Sequence, residues 1–216
     1  MGKVIVLEGL DGCGKSTQFD LIKSENPDFV CVSFPNYADD SGKIVSRYLS
    51  GEFKEDNPLV SAFSASSFYS IDRYISYKNA WEKDYKAGKT ILAARYTTSN
   101  AIYQMAKLDK AHWEEYRAWL YDYEYVKLGI PRPDKVIYLD VPLEISQKLL
   151  SERYEAQGGQ KDVHEANLDF MKRCSEAAHY VAEKDNPKWE IINCTNDGKM
   201  RSIEDIHSEI AAHIGK

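Results

Sequence analysis

With 216 residues the chain is long enough for one α/β domain whose core needs neither metal nor disulfide staples. A net charge of −6 at pH 7 argues against a nucleic-acid-binding face, which would have to be basic. The four cysteines (Cys13, Cys31, Cys174, Cys194) show neither a Cys-x-x-Cys pair nor metal-ligand spacing, so a reducing, cytoplasmic setting is expected.

The apolar run at residues 4–7 predicts a buried strand. Residues 9–16 follow it at once as Gly-Leu-Asp-Gly-Cys-Gly-Lys-Ser. A G-x-x-x-x-G-K-S loop between a strand and a helix wraps its backbone N–H groups around the phosphates of a nucleoside triphosphate. The expected contacts are Gly9, Asp11, Gly12, Cys13, Gly14, Lys15, Ser16 and Thr17, with Cys13 read first as a small filler. Lys15 should reach the β- and γ-phosphates, and Ser16 should place its hydroxyl on Mg²⁺.

A second strand is expected at residues 29–34, and Ser33-Phe34-Pro35-Asn36-Tyr37 supplies further wall to a crevice beyond it. Pro58 opens a helix to about residue 86, ended by Gly88. On it Tyr69 and Arg73 lie one turn apart and can stack on a base and donate to its edge. The plainer alternative for Arg73 is a surface ion pair with Asp72 or Glu82. A third strand at residues 89–93 runs into Ala94-Arg95-Tyr96-Thr97-Thr98-Ser99-Asn100-Ala101-Ile102-Tyr103-Gln104. An arginine leaving a central strand is costly there unless it meets an anion.

A helix over 110–128 carries Tyr116, Trp119, Tyr123 and Val126 at helical spacing, as core or dimer surface. A strand over 135–139 leads to a helix ending near Arg153. The polar, glycine-containing stretch at about 153–165 reads as a lid, followed by a helix from about Ala166 and a last strand over 189–192. Strands alternating with helices imply a parallel sheet covered on both faces, with ligands beyond the carboxyl ends of the strands. No linker or repeat divides the chain, so residues 1–216 form a single domain. No apolar stretch approaches a membrane span, and neither leader nor membrane partner is expected.

An Asn-Lys-x-Asp guanine reader is absent, which disfavours a GTPase switch. The chain resembles the thymidylate kinase family nearly end to end. The marks are the phosphate loop, the Phe-Pro-Asn-Tyr segment, Tyr-Ser-Ile-Asp-Arg, Arg-Tyr-x-x-Ser-x-x-x-Tyr-Gln, and Pro-Arg-Pro-Asp-Lys-Val-Ile-Tyr-Leu-Asp-Val before a lid. The resemblance implies a P-loop NTPase fold with a five-stranded parallel sheet flanked by helices on both faces, and phosphoryl transfer from Mg-ATP to dTMP. It implies that Arg95 binds the dTMP phosphate, that Tyr69 stacks on thymine, and that Arg73 donates to the 4-oxo group. Tyr103 would press on C2′ of the sugar, and Phe34, Pro35, Ser99, Asn100 and Gln104 would complete the pocket. Asp11 would contact the acceptor sugar or the magnesium shell, to which Ser16 and Glu8 also belong. With no basic residue at Gly12, the catalytic cation would come from the lid, Arg153 first and Lys161 second. Residues 194–197 would border adenine, and the protein would be a homodimer.

One position departs from the pattern. The family places an aspartate before the arginine of Asp-Arg, where this chain has Ala94. Either a native aspartate was replaced by design, or Glu8 or Asp11 takes over the metal. Both readings predict nucleotide binding with depressed turnover. A kinase for another deoxynucleoside monophosphate and an inactive nucleotide-binding regulatory protein are the competing functions.

Overall fold

The sheet is built from five short strands with apolar residues on both faces, the pattern of a parallel sheet covered twice. They are β1 (Lys3–Gly9), β2 (Val30–Ser33), β3 (Thr90–Ala94), β4 (Lys135–Asp140) and β5 (Trp189–Asn193). All pair in parallel, as expected, and their order is β2-β3-β1-β4-β5. This computed structural model describes residues 1–53, 56, 58–157, 167–185 and 188–215.

Alternation along the strands sorts the core into two layers. Ile5, Leu7, Leu92 and Ile137 meet Ile22 of α1 (Lys15–Glu25) and Ile206 and Ile210 of α9 (Ile203–Ile214) on one face. Val4, Val6, Ile91, Ala93 and Tyr138 meet the other layer. That layer contains α3 (Pro58–Ser76), α5 (Thr97–Tyr103), α6 (Trp113–Tyr121) and α8 (Leu168–Lys184). Each fully buried Leu or Ile adds about 1.5–3 kcal/mol. The helix α2 (Asp40–Leu49) packs on α3, and α7 (Leu143–Gln157) follows β4. A small hairpin, β6 (Thr195–Asn196) with β7 (Lys199–Met200), precedes α9. No helix among the described residues is long and apolar enough to cross a membrane.

Three expected elements differ in detail. The helix from Pro58 is interrupted by a π-helical turn at Tyr77–Trp81 before α4 (Glu82–Lys86). The wider turn lets Tyr77 and Trp81 both enter the core, edge to face at 4.7 Å. The helix expected over 110–128 is a short turn at Lys110–His112, then α6, then a second π-helical segment at Asp122–Lys127. The phase change breaks the expected stripe: Tyr116 is buried, Val126 is exposed, and Glu124 turns inward instead. Finally, α7 continues through Gln157, so the first residues assigned to the lid are helical. Lys161 lies outside the described residues.

Candidate active site

The phosphate loop spans the gap between Gly9, the last residue of β1, and Lys15, the first of α1. Lys15 folds back across it, donating from Nζ to the Gly9 carbonyl oxygen at 3.0 Å. Cys13 is buried as the expected filler. Gly12 has φ of 82°, and a Cβ there would lie 2.2 Å from the Ser146 carbonyl oxygen of α7. The lack of a basic side chain at this position therefore has a steric basis: the loop rests directly on helix backbone. Residues 11–17 line a cavity of about 820 Å³ together with Phe19, Asp20, Ser33, Phe34, Ala94, Arg95, Leu149, Leu150 and Arg153.

A second cavity, about 320 Å³, adjoins it. Every residue expected to hold the acceptor lines it: Phe34, Pro35, Tyr69, Arg73, Arg95, Ser99, Asn100, Tyr103 and Gln104. Tyr37 and Leu49 add to the wall, the latter from α2, a helix that the sequence reading had not singled out. The Oε1 atom of Gln104 is buried without a hydrogen-bond partner among the described residues.

Asp11, Ser33, Phe34 and Arg95 belong to both cavities. Arg95 directly follows β3 with φ of 64°, a left-handed conformation that costs about 1–3 kcal/mol in a non-glycine residue. Its guanidinium pairs with the Asp11 carboxylate and lies 5.2 Å from the centre of the Tyr103 ring. The Tyr103 hydroxyl donates to Asp11 Oδ2 at 3.0 Å. Burial alone would raise the Asp11 pKa, but Arg95, Lys15, the Tyr103 hydroxyl and Arg153 together hold it below the usual carboxylate value. Burial likewise opposes the charge on Arg95, yet Asp11 foremost keeps its pKa well above the ordinary one.

Arg73 is not a surface residue. It is buried and binds Glu124 through Nε (2.7 Å) and Nη2 (2.6 Å). Asp72 instead accepts from Asn36 N and Ser41 Oγ, while Glu82 pairs with Lys78 and Lys86. Glu124 was not among the expected site residues.

Glu8 lines neither cavity. Its Oε1 accepts from Tyr96 N (3.2 Å), Thr98 Oγ1 (2.6 Å) and Ser99 Oγ (2.7 Å), and its buried Oε2 has no partner among the described residues. The register pairs Leu7 with Ala94, so Ala94 faces α1 and Glu8 faces the opposite side of the sheet. Ser16 is exposed in the larger cavity at the start of α1. Among the described residues no group of three or more His, Cys, Asp or Glu side chains could hold a metal ion.

Arg153, on α7, lines the larger cavity and lies over the Tyr154 ring at 5.1 Å. Residues 194–197 are not in its wall. Cys194 is buried, and Thr195 borders a separate cavity of about 360 Å³ with Asp140 and His179.

The arrangement can hold two anionic ligands end to end, with Arg95 at the junction. A protein-family model described as thymidylate kinase matches residues 7–210. A probable thymidylate kinase of Thermococcus onnurineus is 30% identical, covering 96% of this chain and 95% of its own. The thymidylate kinase of Plasmodium falciparum is also 30% identical, over 100% of this chain and 90% of its own. In fold, the chain matches a thymidylate kinase from Candida albicans with a TM-score of 0.76 at 21% identity, over 99% of this chain and 91% of that one.

Proposed function

The chain belongs to the thymidylate kinase family, and on that premise we propose how its own residues carry a phosphoryl group from ATP to dTMP. It is an ATP-dependent nucleoside monophosphate kinase with the P-loop NTPase fold. The observation that carries the assignment of residues is the junction: the two cavities meet at Asp11, Ser33, Phe34 and Arg95. The triphosphate of ATP occupies the larger cavity and dTMP the smaller, so donor and acceptor phosphates face each other there.

Lys15 leaves the Gly9 carbonyl oxygen for the β- and γ-phosphates. Arg95 turns from Asp11 to the dTMP phosphate. That phosphate is largely ionised near neutral pH, so no strong general base is needed. Catalysis is positioning and charge neutralisation. Tyr69 stacks on thymine, and Arg73 offers a donor to the 4-oxo group. Cytosine presents an amino group there and would leave two donors facing each other. Tyr103 stands against C2′ of the sugar, with Phe34, Pro35, Ser99, Asn100 and Gln104 closing the pocket. Arg153 approaches the transferring group from α7, at the wall of the larger cavity.

Ser16 fits Mg²⁺, because its exposed hydroxyl lies in the triphosphate cavity and magnesium completes its shell with phosphate oxygens and water. When bound, the ion neutralises charge on the phosphate oxygens. The methyl of Ala94 lines the same cavity and cannot accept from metal-bound water. Glu8 lies on the wrong face to replace it. Turnover is therefore attenuated while nucleotide binding is retained.

Exposed Ile44 on α2, Ile71 on α3 and Val126 support a homodimer, and the four free cysteines suit a cytoplasmic location.

The test is dTMP-dependent ADP formation from Mg-ATP by this chain and by Ala94→Asp. We expect the aspartate to raise kcat about 10–100-fold with KM for both nucleotides little changed. Equal rates would show that position 94 does not hold the metal shell. Binding without turnover in both proteins would favour a regulatory role, and turnover of another deoxynucleotide alone would move the base assignment.

A further inference from the structure

Glu124 is fully buried and lines neither nucleotide cavity, yet five hydrogen bonds converge on its carboxylate. Ser70 Oγ (2.8 Å), Arg73 Nη2 (2.6 Å) and Asn100 Nδ2 (3.4 Å) donate to Oε1. Arg73 Nε and Thr97 Oγ1, each at 2.7 Å, donate to Oε2. A buried carboxylate persists only when it is paired and hydrogen-bonded, as here. Its partners come from α3 and α5, the two helices that also present Arg73 and Asn100 to the acceptor cavity.

An ionised carboxylate accepts hydrogen bonds and cannot donate them. It therefore dictates what its neighbours show on their other side. Arg73 commits one N–H each of Nε and Nη2 to Glu124, which leaves both N–H groups of Nη1 and the second of Nη2 without a protein partner among the described residues. Asn100 must turn its NH₂ toward two acceptors, Glu124 Oε1 and the Ser66 carbonyl oxygen at 3.2 Å. Its Oδ1 is then the atom offered to the cavity. A donor from Arg73 beside an acceptor from Asn100 complements a 4-oxo group beside N3–H. A 4-aminopyrimidine presents the reverse pair, an amino donor beside a bare N3.

We propose that Glu124 is the positioning residue that sets the polarity of the base reader, and through it the choice of 2,4-dioxopyrimidine over 4-aminopyrimidine monophosphates. The proposal rests on the assignment of the smaller cavity to dTMP. It adds a residue, one layer behind the cavity wall, that fixes the Arg73 fork and shares with the Ser66 carbonyl oxygen the orientation of the Asn100 amide. A glutamine at 124 would keep the shape but offer only one acceptor oxygen to the Arg73 fork, loosening Arg73 and leaving the amide of Asn100 held by the Ser66 carbonyl oxygen alone.

The experiment measures dissociation constants for dTMP, dUMP and dCMP by calorimetry on the wild-type chain, Glu124→Gln and Glu124→Asp, with melting temperatures alongside. Equilibrium binding is read because turnover is attenuated by Ala94. The wild type should prefer dTMP and dUMP to dCMP. Glu124→Gln should weaken dTMP about tenfold, the loss of roughly one charge-assisted hydrogen bond, and shrink the preference over dCMP by more than that. Glu124→Asp, still an acceptor only, should weaken binding but keep the preference, and it decides the matter if the glutamine variant does not fold. A lower melting temperature with the preference intact in Glu124→Gln would overturn the proposal, and so would a lost preference in Glu124→Asp. Failure of the dTMP assignment looks different: the wild type itself would bind dCMP as tightly as dTMP.

Discussion

Asp11 and Arg95 restrain each other at the junction of the two cavities. The pair keeps the guanidinium charged at that junction, and on the proposed reading it is exchanged for the acceptor phosphate when dTMP binds. Its contribution to stability carries a sign. The folded pKa of Asp11 lies below its ordinary value of 3.8, so the stabilisation is complete above that value and is lost as the pH falls through the folded pKa. Asp11→Asn should therefore cost about 1–2 kcal/mol at pH 7 by urea unfolding. The gap from wild type should close below about pH 4; a gap constant with pH would assign it to packing instead. At this scale the legible residues were those with a chemical oddity in one dimension. Arg95 stood at the end of an apolar strand, and Tyr69 and Arg73 shared a helix face. Glu124 sits between two tyrosines in a helical pattern and reads as a solvated charge, because nothing along the chain shows that Arg73 lies across from it.

Two elements, the phosphate loop and α7, are locked together by the absence of a side chain. A Cβ at Gly12 would meet the Ser146 backbone oxygen, which no rotamer change can move. Gly12→Ala adds this clash to the strain of a positive φ, and a loss of about 2 kcal/mol is expected. That corresponds to a melting temperature roughly 4–8 °C lower for a chain of this size. The KM for ATP should rise as the loop and α7 separate; an unchanged KM and melting temperature would mean that α7 yields without effect. Strands were easy to read because doubly buried runs are short and apolar. The π-helical turns were not, since one extra residue shifts the phase without changing composition. That shift is what carried Val126 outward and Glu124 inward. The continuation of α7 through Gln157 was also missed, because Tyr154-Glu-Ala-Gln is polar enough to pass for loop.

Across the whole molecule, the parallel direction of the strands followed from alternation with helices, and the site followed from where parallel strands end. Which side chains share a face of that sheet did not, because register between β1, β2 and β3 is a three-dimensional fact. It is register that separates Glu8 from Ala94, and it also sets Ser33 of β2 beside Ala94, one strand spacing or about 4.8 Å away. Ser33 lines both cavities and faces the same way as Ala94. This gives the lineage a definite genetic landscape. In a host that depends on this chain for growth, selection for faster alleles should return carboxylates at position 94 itself or at 33. Further acid at position 8 cannot help, and recovery of revertants only at sites distant from β2 and β3 would contradict the register. A sheet, in this sense, keeps a short list of the places from which a carboxylate can be handed to the same cavity.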